Sequence, residues 1–284
     1  MHWQKVTLVG VGLLGASLGL ALKQRKLAKR VEGLVRREAS IKECESLGVV
    51  DAAHLDLSKA IAGADLIVFC TPVAPMRLLA EQMRTHVTPG AIVTDVGSVK
   101  ASVVKELEPL FADFVGSHPM AGSEKTGPAA ATATLFQNAT CIITPTTRSN
   151  AKSVGRVEEL WRSVGGISRT LSPELHDELV SRSSHLPHII AAELVNYVLD
   201  PKRSADEGML CAGGFRDTTR IASGSPEMWR DIAFSNRENL LRALAGFVNG
   251  LEDFRAALEK GDLHAIEEFF VKAKKRRDAR FPPE

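Results

Sequence analysis

The stretch "VTLVGVGLLG" (6–15) decides the fold, because it joins a short apolar run to three glycines at the start of a helical pattern. The first glycine permits a tight turn, the second lets a pyrophosphate approach the backbone, and the third allows close helix–strand packing. The free amides at the start of the helix attract phosphate. Any strand–helix turn can contain such glycines, so a turn without a ligand is the alternative. We favour a dinucleotide-binding turn made of Gly10, Gly12, Leu13, Leu14 and Gly15.

Compact apolar runs rich in Val and Ile recur along the first 171 residues, and segments with helical spacing separate them. They are "VEGLV" (31–35), "DLIVFC" (65–70), "AIVTDV" (91–96), "TCIITP" (140–145) and "GISRTL" (166–171). The runs up to residue 96 are typical of parallel strands buried on both faces, and the last two are predicted to be later strands with a helix at about residues 150–164 between them. Their alternation with helices predicts an α/β domain over residues 1–171, with a doubly wound sheet of the Rossmann type.

The sequence pattern changes after residue 171. Ser172, Pro173 and Glu174 form a favourable helix start, with a capping hydroxyl, a proline in the first turn and an early acid. From there to the end we identify no strand, and apolar residues recur at three- and four-residue spacing. We therefore predict an all-helical domain over residues 172–284. It is apolar enough that we expect it to pack on the sheet domain and to form a homodimer.

Composition narrows the class of partner. The chain has 36 Lys and Arg against 34 Asp and Glu, a net charge of +2, so nothing favours nucleic acid. The four cysteines are scattered, and we identify no secretory leader, so we expect a cytoplasmic protein without disulfides. No apolar run approaches the roughly 18 residues that a membrane span needs. A small-molecule partner is the remaining expectation.

The segment "GLVRREA" (33–39) bears on cofactor choice. NAD-binding proteins often place an acid about 20 residues after the glycines, to bind the ribose hydroxyl. Here that count reaches Val35, and Arg36 and Arg37 follow it. A guanidinium can donate two hydrogen bonds to a 2′-phosphate. We therefore predict NADP as the preferred cofactor with NAD possible, the alternative being that both arginines are solvated at a helix start.

Two further segments follow predicted strands, "CTP" (70–72) and "DVGSVK" (95–100). Ligands of α/β proteins bind at the carboxyl ends of the strands. We therefore predict that cofactor contacts come from Cys70, Thr71, Pro72 and Ser98. The alternative for Thr71 and Ser98 is that each hydroxyl caps the following helix.

The segment "GSHPMAGSEKTG" (116–127) follows the predicted strand "FADFVG" (111–116) and does not itself resemble a strand or a helix. A lone histidine is often structural, but His118 lies at a predicted strand end beside the cofactor. Oxidation of an alcohol requires a base, and imidazole titrates near neutral pH. His118 is therefore the candidate base.

Two more polar segments lie in the helical half, "SRSSHLPHII" (181–190) and "GGFRDTTRIASGSPEMWRDI" (213–232). His185 and His188 stand three residues apart, which would suit a metal, but we find no further ligands nearby and expect none. Arg216 or Arg220 can bind a substrate carboxylate. The alternative for Arg220 is an ion pair with Asp217, three residues away on a helix.

Taken together, several of these segments resemble the prephenate/arogenate dehydrogenase family of tyrosine biosynthesis. The segments are "GVGLLGASLGLAL", "CTPV", "TDVGSVK", "GSHPMAGSEKTG", "SSHLPH" and "GGFRDTTRIASGSPEMWRDI". The resemblance covers nearly the whole chain. It implies oxidative decarboxylation of prephenate to 4-hydroxyphenylpyruvate with NADP or NAD, the alternative being conversion of arogenate directly to tyrosine.

The resemblance also implies roles for individual residues. His118 would accept the hydroxyl proton, Ser98 would orient His118, and Arg220 would bind a substrate carboxylate. His188, Ser123 and Glu124 would line the substrate pocket, and the helical half would dimerise.

Two other classes of protein share parts of this pattern. β-Hydroxyacid dehydrogenases combine a Rossmann half with a helical half, but they rely on a lysine where this chain has the histidines of "HDELVSRSSHLPH" (176–188). A sensor of NADP would need none of His118, Ser98 and Arg220. The presence of all three favours an enzyme.

Overall fold

The computed structural model describes residues 3–282, and within that range the side chain of Ala205 is left aside. Its eight strands are β1 Trp3–Val9, β2 Ala28–Leu34, β3 Ala52–His54, β4 Leu66–Phe69, β5 Ile92–Asp95, β6 Phe114–Pro119, β7 Thr140–Thr144 and β8 Ile167–Thr170. Its helices are α1 Leu13–Gln24, α2 Glu38–Ser46, α3 Leu57–Ile61, α4 Met76–Met83, α5 Ala101–Leu107, α6 Ala151–Ser163, α7 Pro173–Val180, α8 Leu186–Val198, α9 Ala205–Met209, α10 Gly213–Thr219, α11 Pro226–Ser235, α12 Arg237–Lys260 and α13 Leu263–Arg280.

The strands form one sheet in the order β3-β2-β1-β4-β5-β6-β7-β8. Strands β1 to β6 are parallel, β7 runs antiparallel to β6, and β8 is parallel to β7. The strand order reverses between β1 and β4, and the glycine turn follows β1 at that point. Ligand crevices of doubly wound sheets lie at such a reversal. The predicted Rossmann-type sheet and the helical C-terminal part are confirmed.

Both faces of the central strands β4 and β5 are buried, as the apolar runs predict, whereas the edge strand β8 is mostly exposed. Alternate residues of β4 enter two separate cores: Leu66 and Val68 pack on one face, and Ile67 and Phe69 on the other. Successive side chains of a strand point to opposite faces, so a strand covered on both sides needs an unbroken apolar run. The helices that connect the parallel strands cover these faces.

The strands differ from the prediction in two places. Strand β3, Ala52–His54, was not predicted, because a three-residue strand leaves almost no periodic signal. Strand β6 continues to Pro119, where the prediction ends it at residue 116. The extension exists because His118 and Pro119 pair with Ile142 and Cys141 of the antiparallel strand β7. His118 is therefore fixed in the sheet near the end of a strand.

Helices α7 and α8 are joined by a π-helical turn, Ser181–His185. Pro187 lies in the first turn of α8. Proline has no backbone N–H, and it is tolerated at this position of a helix. The wider turn before the proline keeps the chain helical, and it brings His185 and His188 onto one side of the segment. Both rings lie near Trp229 of α11.

The chain forms two compact units, residues 1–236 and residues 237–284. In the second unit, α12 and α13 pack against each other through Phe254, Phe269 and Phe270, with ring centroids 4.6–5.8 Å apart. The predicted domain boundary at residue 171 differs from the division between these two units. It lies between β8 and α7, at the end of the last strand and before the C-terminal helices. It stays a prediction about domains. Within the described chain, none of the helices has the length and apolar character that a membrane crossing requires.

Candidate active site

The glycine turn has the backbone that a dinucleotide site requires. Gly10 has a φ of +99°, a left-handed conformation that favours glycine. A Cβ on Gly15 would lie 2.2 Å from the Gly10 carbonyl oxygen, whereas a Cβ on Gly12 would meet nothing within 4 Å. Gly15 is therefore needed for helix–strand packing, and Gly12 leaves open space. Helix α1 starts at Leu13 without a side-chain cap, so its first amides are available to phosphate.

The segment after β4 adjoins this turn. A Cβ on Gly10 would lie 2.9 Å from Thr71 Cγ2, and a Cβ on Gly15 would lie 3.1 Å from Cys70 Cβ. Thr71 Oγ1 is buried and has no hydrogen-bond partner in residues 3–282. A buried hydroxyl without a partner indicates a ligand or water contact. Together with the free amides of α1, this hydroxyl fits a bound dinucleotide, which Gly10, Gly12, Leu13, Leu14, Gly15, Cys70, Thr71 and Pro72 would hold.

The three residues after β2 differ in their exposure to solvent. Val35 is 8% exposed and belongs to one of the sheet cores, whereas Arg36 and Arg37 are exposed. The first side chain free to meet a ribose after β2 is therefore Arg36. Arg37 directly precedes α2.

His118 belongs to a chain of hydrogen bonds that joins strand β6 to helix α7. His118 Nδ1 lies 2.8 Å from Nε2 of His176, and Nδ1 of His176 lies 2.8 Å from Oδ1 of Asp177. All three residues are buried, with His118 7% exposed and His176 fully buried. We call these three residues the His–His–Asp chain.

The carboxylate of Asp177 is held by the start of helix α5. Its Oδ1 accepts from the backbone N–H of Lys100 at 2.7 Å, and its Oδ2 accepts from that of Ala101 at 2.9 Å. Because Asp177 accepts, Nδ1 of His176 is the donor and Nε2 of His176 has the lone pair. His118 Nδ1 then donates to His176. The lone pair of neutral His118 is therefore on Nε2, the nitrogen outside this hydrogen-bonded chain.

A second buried network fixes the strand that carries His118. Asp95 and Lys100 form a fully buried ion pair, and the Lys100 ammonium also donates to the Ser117 carbonyl at 3.0 Å. Asp95 Oδ1 accepts from the Ser117 backbone N–H at 3.1 Å, and Ser117 Oγ accepts from Trp161 Nε1 at 3.0 Å. Buried charges are tolerated when paired and hydrogen-bonded in this way. Ser117 is thereby held from both sides.

The surroundings keep the histidines neutral. Burial lowers the pKa of His118 well below its ordinary value, and the neighbouring His176, Lys100 and His185 lower it further. Burial also lowers the pKa of His176, against the opposing effect of Asp177, and it lowers that of His185 to about 4. Neutral imidazole is the form that can accept a proton.

Ser98 lies half-buried in the loop after β5. In the described structure no hydrogen bond joins Ser98 to His118, whose ring contacts His176 instead. The roles given to Ser98, orientation of His118 and contact with the cofactor, stay predictions.

Arg220 and Glu124 are brought together across 96 residues of sequence. Arg220 Nη1 lies 3.0 Å from Glu124 Oε2, and the Arg220 side chain is 62% exposed. Arg220 pairs with Glu124, and not with Asp217. A hydrogen bond from the Glu124 backbone N–H, followed by the charge of Arg220, lowers the pKa of the Glu124 carboxyl. Ser123 is exposed, and its Oγ accepts from the backbone N–H of Lys125 at 3.2 Å.

His188 stacks on Trp229, with ring centroids 3.8 Å apart. Its Nδ1 donates to the Ser184 carbonyl at 2.9 Å, which leaves the lone pair on Nε2. Burial is the main cause that lowers the pKa of His188. No group of three or more metal-type ligands occurs among the described residues.

Sequence reasoning missed His176, Asp177, Lys100 and Asp95. A signal for His176 existed, since it lies three residues after buried Pro173 and four before buried Val180, on the apolar side of α7. A histidine on that side of a helix must have a buried partner. The sequence alone does not identify a partner 58 residues away.

Two protein-family models match this chain, one in each half. Residues 18–169 match the family model for the nucleotide-binding domain of prephenate dehydrogenase, and residues 172–272 match the one for its dimerization domain.

Among curated proteins, the chain is 33% identical to a cyclohexadienyl dehydrogenase of Zymomonas mobilis, over 97% of this chain and 95% of that one. It is 36% identical to a prephenate dehydrogenase of Bacillus subtilis, over 96% of this chain and 75% of that one.

Among solved structures, the fold matches a prephenate dehydrogenase of A. aeolicus in complex with hydroxyphenyl propionate and NAD+. The TM-score is 0.91 at 32% identity, covering 98% of this chain and 99% of that one. Two family models together match most of the chain, and relatives above 30% identity match nearly all of it, so the chain belongs to the prephenate dehydrogenase family of oxidoreductases.

Proposed function

We propose that this protein oxidises and decarboxylates prephenate to 4-hydroxyphenylpyruvate, with His118 as the base. The observation that carries the proposal is the His–His–Asp chain, which presents a neutral His118 with its lone pair on Nε2. Arogenate, which would give tyrosine directly, is the alternative substrate.

The chemistry follows from the substrate. Prephenate has a ring 4-hydroxyl, a ring carboxylate and a pyruvyl arm. A hydride leaves the carbinol carbon, and the bound nicotinamide supplies its acceptor, while His118 Nε2 takes the hydroxyl proton. The bond to the ring carboxylate then breaks, carbon dioxide leaves, and the electron pair enters the ring, which becomes aromatic. The ring oxygen, now a phenolate, takes a proton back from His118 Nε2 and becomes the phenol of 4-hydroxyphenylpyruvate.

Arg220 is proposed to bind a substrate carboxylate, which would replace Glu124 as its partner. The ion pair between Arg220 and Glu124 is exposed, and exposed pairs are weak, so an incoming carboxylate can displace it. Holding the ring carboxylate stabilises the ground state and does not by itself speed its departure. Arg220 therefore serves to place the ring beside the base and the cofactor.

The other predicted pocket residues complete the proposal. Ser123 adjoins Glu124, and His188 presents Nε2 from its stack on Trp229. We keep Ser98 as a contact for the substrate hydroxyl and the cofactor. The relative from A. aeolicus supports this class of ligand, because hydroxyphenyl propionate shares a phenol and a carboxylate with the proposed product.

One assay tests the reaction and its alternative. Nicotinamide reduction is followed by absorbance with prephenate and with arogenate, each with NADP and with NAD. We expect turnover with prephenate to exceed that with arogenate. Higher kcat/KM with arogenate would select the alternative, and no turnover with either substrate would refute the proposed function.

We further propose that NADP is preferred over NAD. The support is the exposed Arg36, two residues after the end of β2, and the absence of an acid at positions 35–37. A guanidinium attracts the 2′-phosphate that a carboxylate would repel.

Replacing Arg36 tests this cofactor preference. Arg36→Ala should raise KM for NADP about tenfold, with KM for NAD changed less than twofold, because a hydrogen bond to a charged group contributes about 1.5–3 kcal/mol. Arg37→Ala, the adjacent exposed arginine, is the matched control and should have the smaller effect. Equal KM changes for the two cofactors in Arg36→Ala would place the selectivity elsewhere. Val35 is unsuitable for this test, because an acid at that buried position would also destabilise the core.

Homodimerisation and a cytoplasmic location are also proposals. The family model for residues 172–272 is described as a dimerization domain, which supports the first. Light scattering of the purified protein should give about twice the 30.7 kDa mass of the chain.

A further inference from the structure

We propose that His176 holds a proton after His118 has accepted the substrate proton, so that the two histidines form a proton relay whose imidazolium at His176 is stabilised by Asp177. This inference rests on the proposed function, which supplies the hydroxyl proton. It gives a role in proton transfer to a residue that the sequence motifs do not single out.

The geometry supplies a continuous path. His118 Nδ1 and His176 Nε2 are 2.8 Å apart, and their rings meet edge to face, with centroids 5.1 Å apart. His176 Nδ1 continues to Asp177 Oδ1 at 2.8 Å. The two nitrogens belong to buried residues and lie within direct hydrogen-bonding distance.

The transfer balances without any further reagent. The substrate O–H bond breaks as the proton binds Nε2 of His118. The proton on Nδ1 of His118 then passes to Nε2 of His176. His118 returns to neutral with its proton on Nε2, and His176 becomes an imidazolium whose Nδ1–H faces the Asp177 carboxylate. When the ring becomes aromatic, the Nε2 proton of His118 passes to the phenolate oxygen and His176 returns its Nε2 proton to Nδ1 of His118, which restores the starting state.

The charges around the two rings favour transfer of the proton from His118 to His176. The groups that act on His118 are His176, Lys100 and His185, and each of them disfavours a positive charge there. His176 faces Lys100 too, but it also faces Asp177 and, farther away, Asp95, which both favour a positive charge. An imidazolium is therefore better compensated at His176 than at His118.

Asp177 is suited to stabilise the imidazolium at the end of the relay. Its two carboxylate oxygens are held by the backbone N–H groups of Lys100 and Ala101, and these cannot give up a proton. Asp177 can thus orient and stabilise the His176 imidazolium without becoming part of a longer proton path.

The substitution that separates relay from orientation is His176→Gln. The glutamine amide oxygen can accept from His118 Nδ1 and keep the His118 tautomer, but an amide cannot carry the proton. In a single-turnover measurement, His176→Gln should slow substrate oxidation at least tenfold. His86→Gln, at an exposed histidine, is the matched control and should leave the rate unchanged.

A readout independent of turnover is the 15N NMR of the imidazoles in the full-length protein. At neutral pH we expect protons on Nδ1 of both His118 and His176, and on acidification we expect His176 to become the imidazolium first. This measurement needs only the wild-type protein, so it decides the matter even if His176→Gln does not fold.

Two outcomes would overturn the relay. One is a His176→Gln protein whose single-turnover rate is within twofold of wild type. The other is an NMR titration in which His118 is protonated first, or in which its neutral form has the proton on Nε2. Failure of the proposed function is distinct, because then wild type would oxidise neither prephenate nor arogenate while the NMR titration would still be interpretable.

Discussion

At the scale of single residues, His118 and Arg220 are proposed to act on different stages of the same reaction. His118 is buried in a strand and fixed by hydrogen bonds, whereas Arg220 is exposed and paired with a residue that a substrate can displace. A base contributes to the chemical step, and a carboxylate clamp contributes to binding. Substitutions at the two positions should therefore change different kinetic constants.

We expect His118→Asn to lower kcat by about 10²- to 10⁴-fold, the range typical of a lost general base. Arg220→Ala should instead raise KM by about tenfold to a hundredfold, because it removes a charge-assisted hydrogen bond. Steady-state kinetics with prephenate measures both, with Arg216→Ala on the same helical segment as the control. A near-normal kcat for His118→Asn would refute its role as base.

Some of the proposed site residues could be predicted from the sequence and others could not. His118 and Arg220 stood out because they lie in polar segments with little secondary-structure pattern of their own. His176 and Asp177 lie inside a regular helix, where the amphipathic pattern accounts for their neighbours and conceals their chemistry. Their role depends on tertiary contacts with β6 and with the start of α5, and no local pattern encodes those contacts.

At the scale of elements, the strands with strong apolar runs were predicted and the exceptions have physical causes. Strand β3 is too short to show a period. The extension of β6 is stabilised by antiparallel pairing with β7. The periodicity of apolar residues indicates which residues of a strand are buried. It does not indicate which strand pairs with it, or whether the pair is parallel or antiparallel.

The glycine turn allows stability and cofactor binding to be tested separately. Gly15→Ala should destabilise the fold, because its Cβ would lie 2.2 Å from a backbone oxygen. Gly12→Ala meets no protein atom within 4 Å and should leave the melting temperature within about 2 °C, yet weaken dinucleotide binding. Thermal melting and cofactor titration of both variants measure the difference. Unweakened cofactor binding in a folded Gly12→Ala protein would argue against a pyrophosphate at this turn.

At the scale of the whole molecule, buried histidines link folding to pH. His118, His176 and His185 have a lower pKa in the folded protein than the ordinary value near 6.5. The unfolded chain therefore binds protons first as the pH falls. The stability that depends on these neutral rings is complete above about pH 6.5 and is lost as the pH falls toward their folded-state pKa values.

We expect the free energy of unfolding to decrease between pH 6.5 and pH 5. For His185, whose pKa is about 4, the loss at pH 5 is about 2 kcal/mol, at roughly 1.4 kcal/mol per pH unit. Urea unfolding at several pH values measures it. His185→Gln should flatten this dependence, and His86→Gln should not. An unfolding free energy equal at pH 6.5 and pH 5 would contradict the burial of these rings.

The attachment of Asp177 to the first amides of α5 has a consequence for engineering this enzyme. A residue that both caps a helix and orients a proton acceptor cannot be changed for one purpose alone. A library selected only for soluble expression would therefore reject most replacements at Asp177, and that rejection would say nothing about catalysis. An inactive but well-folded variant, suitable for trapping a bound substrate, should instead be sought at His118, whose ring caps no helix.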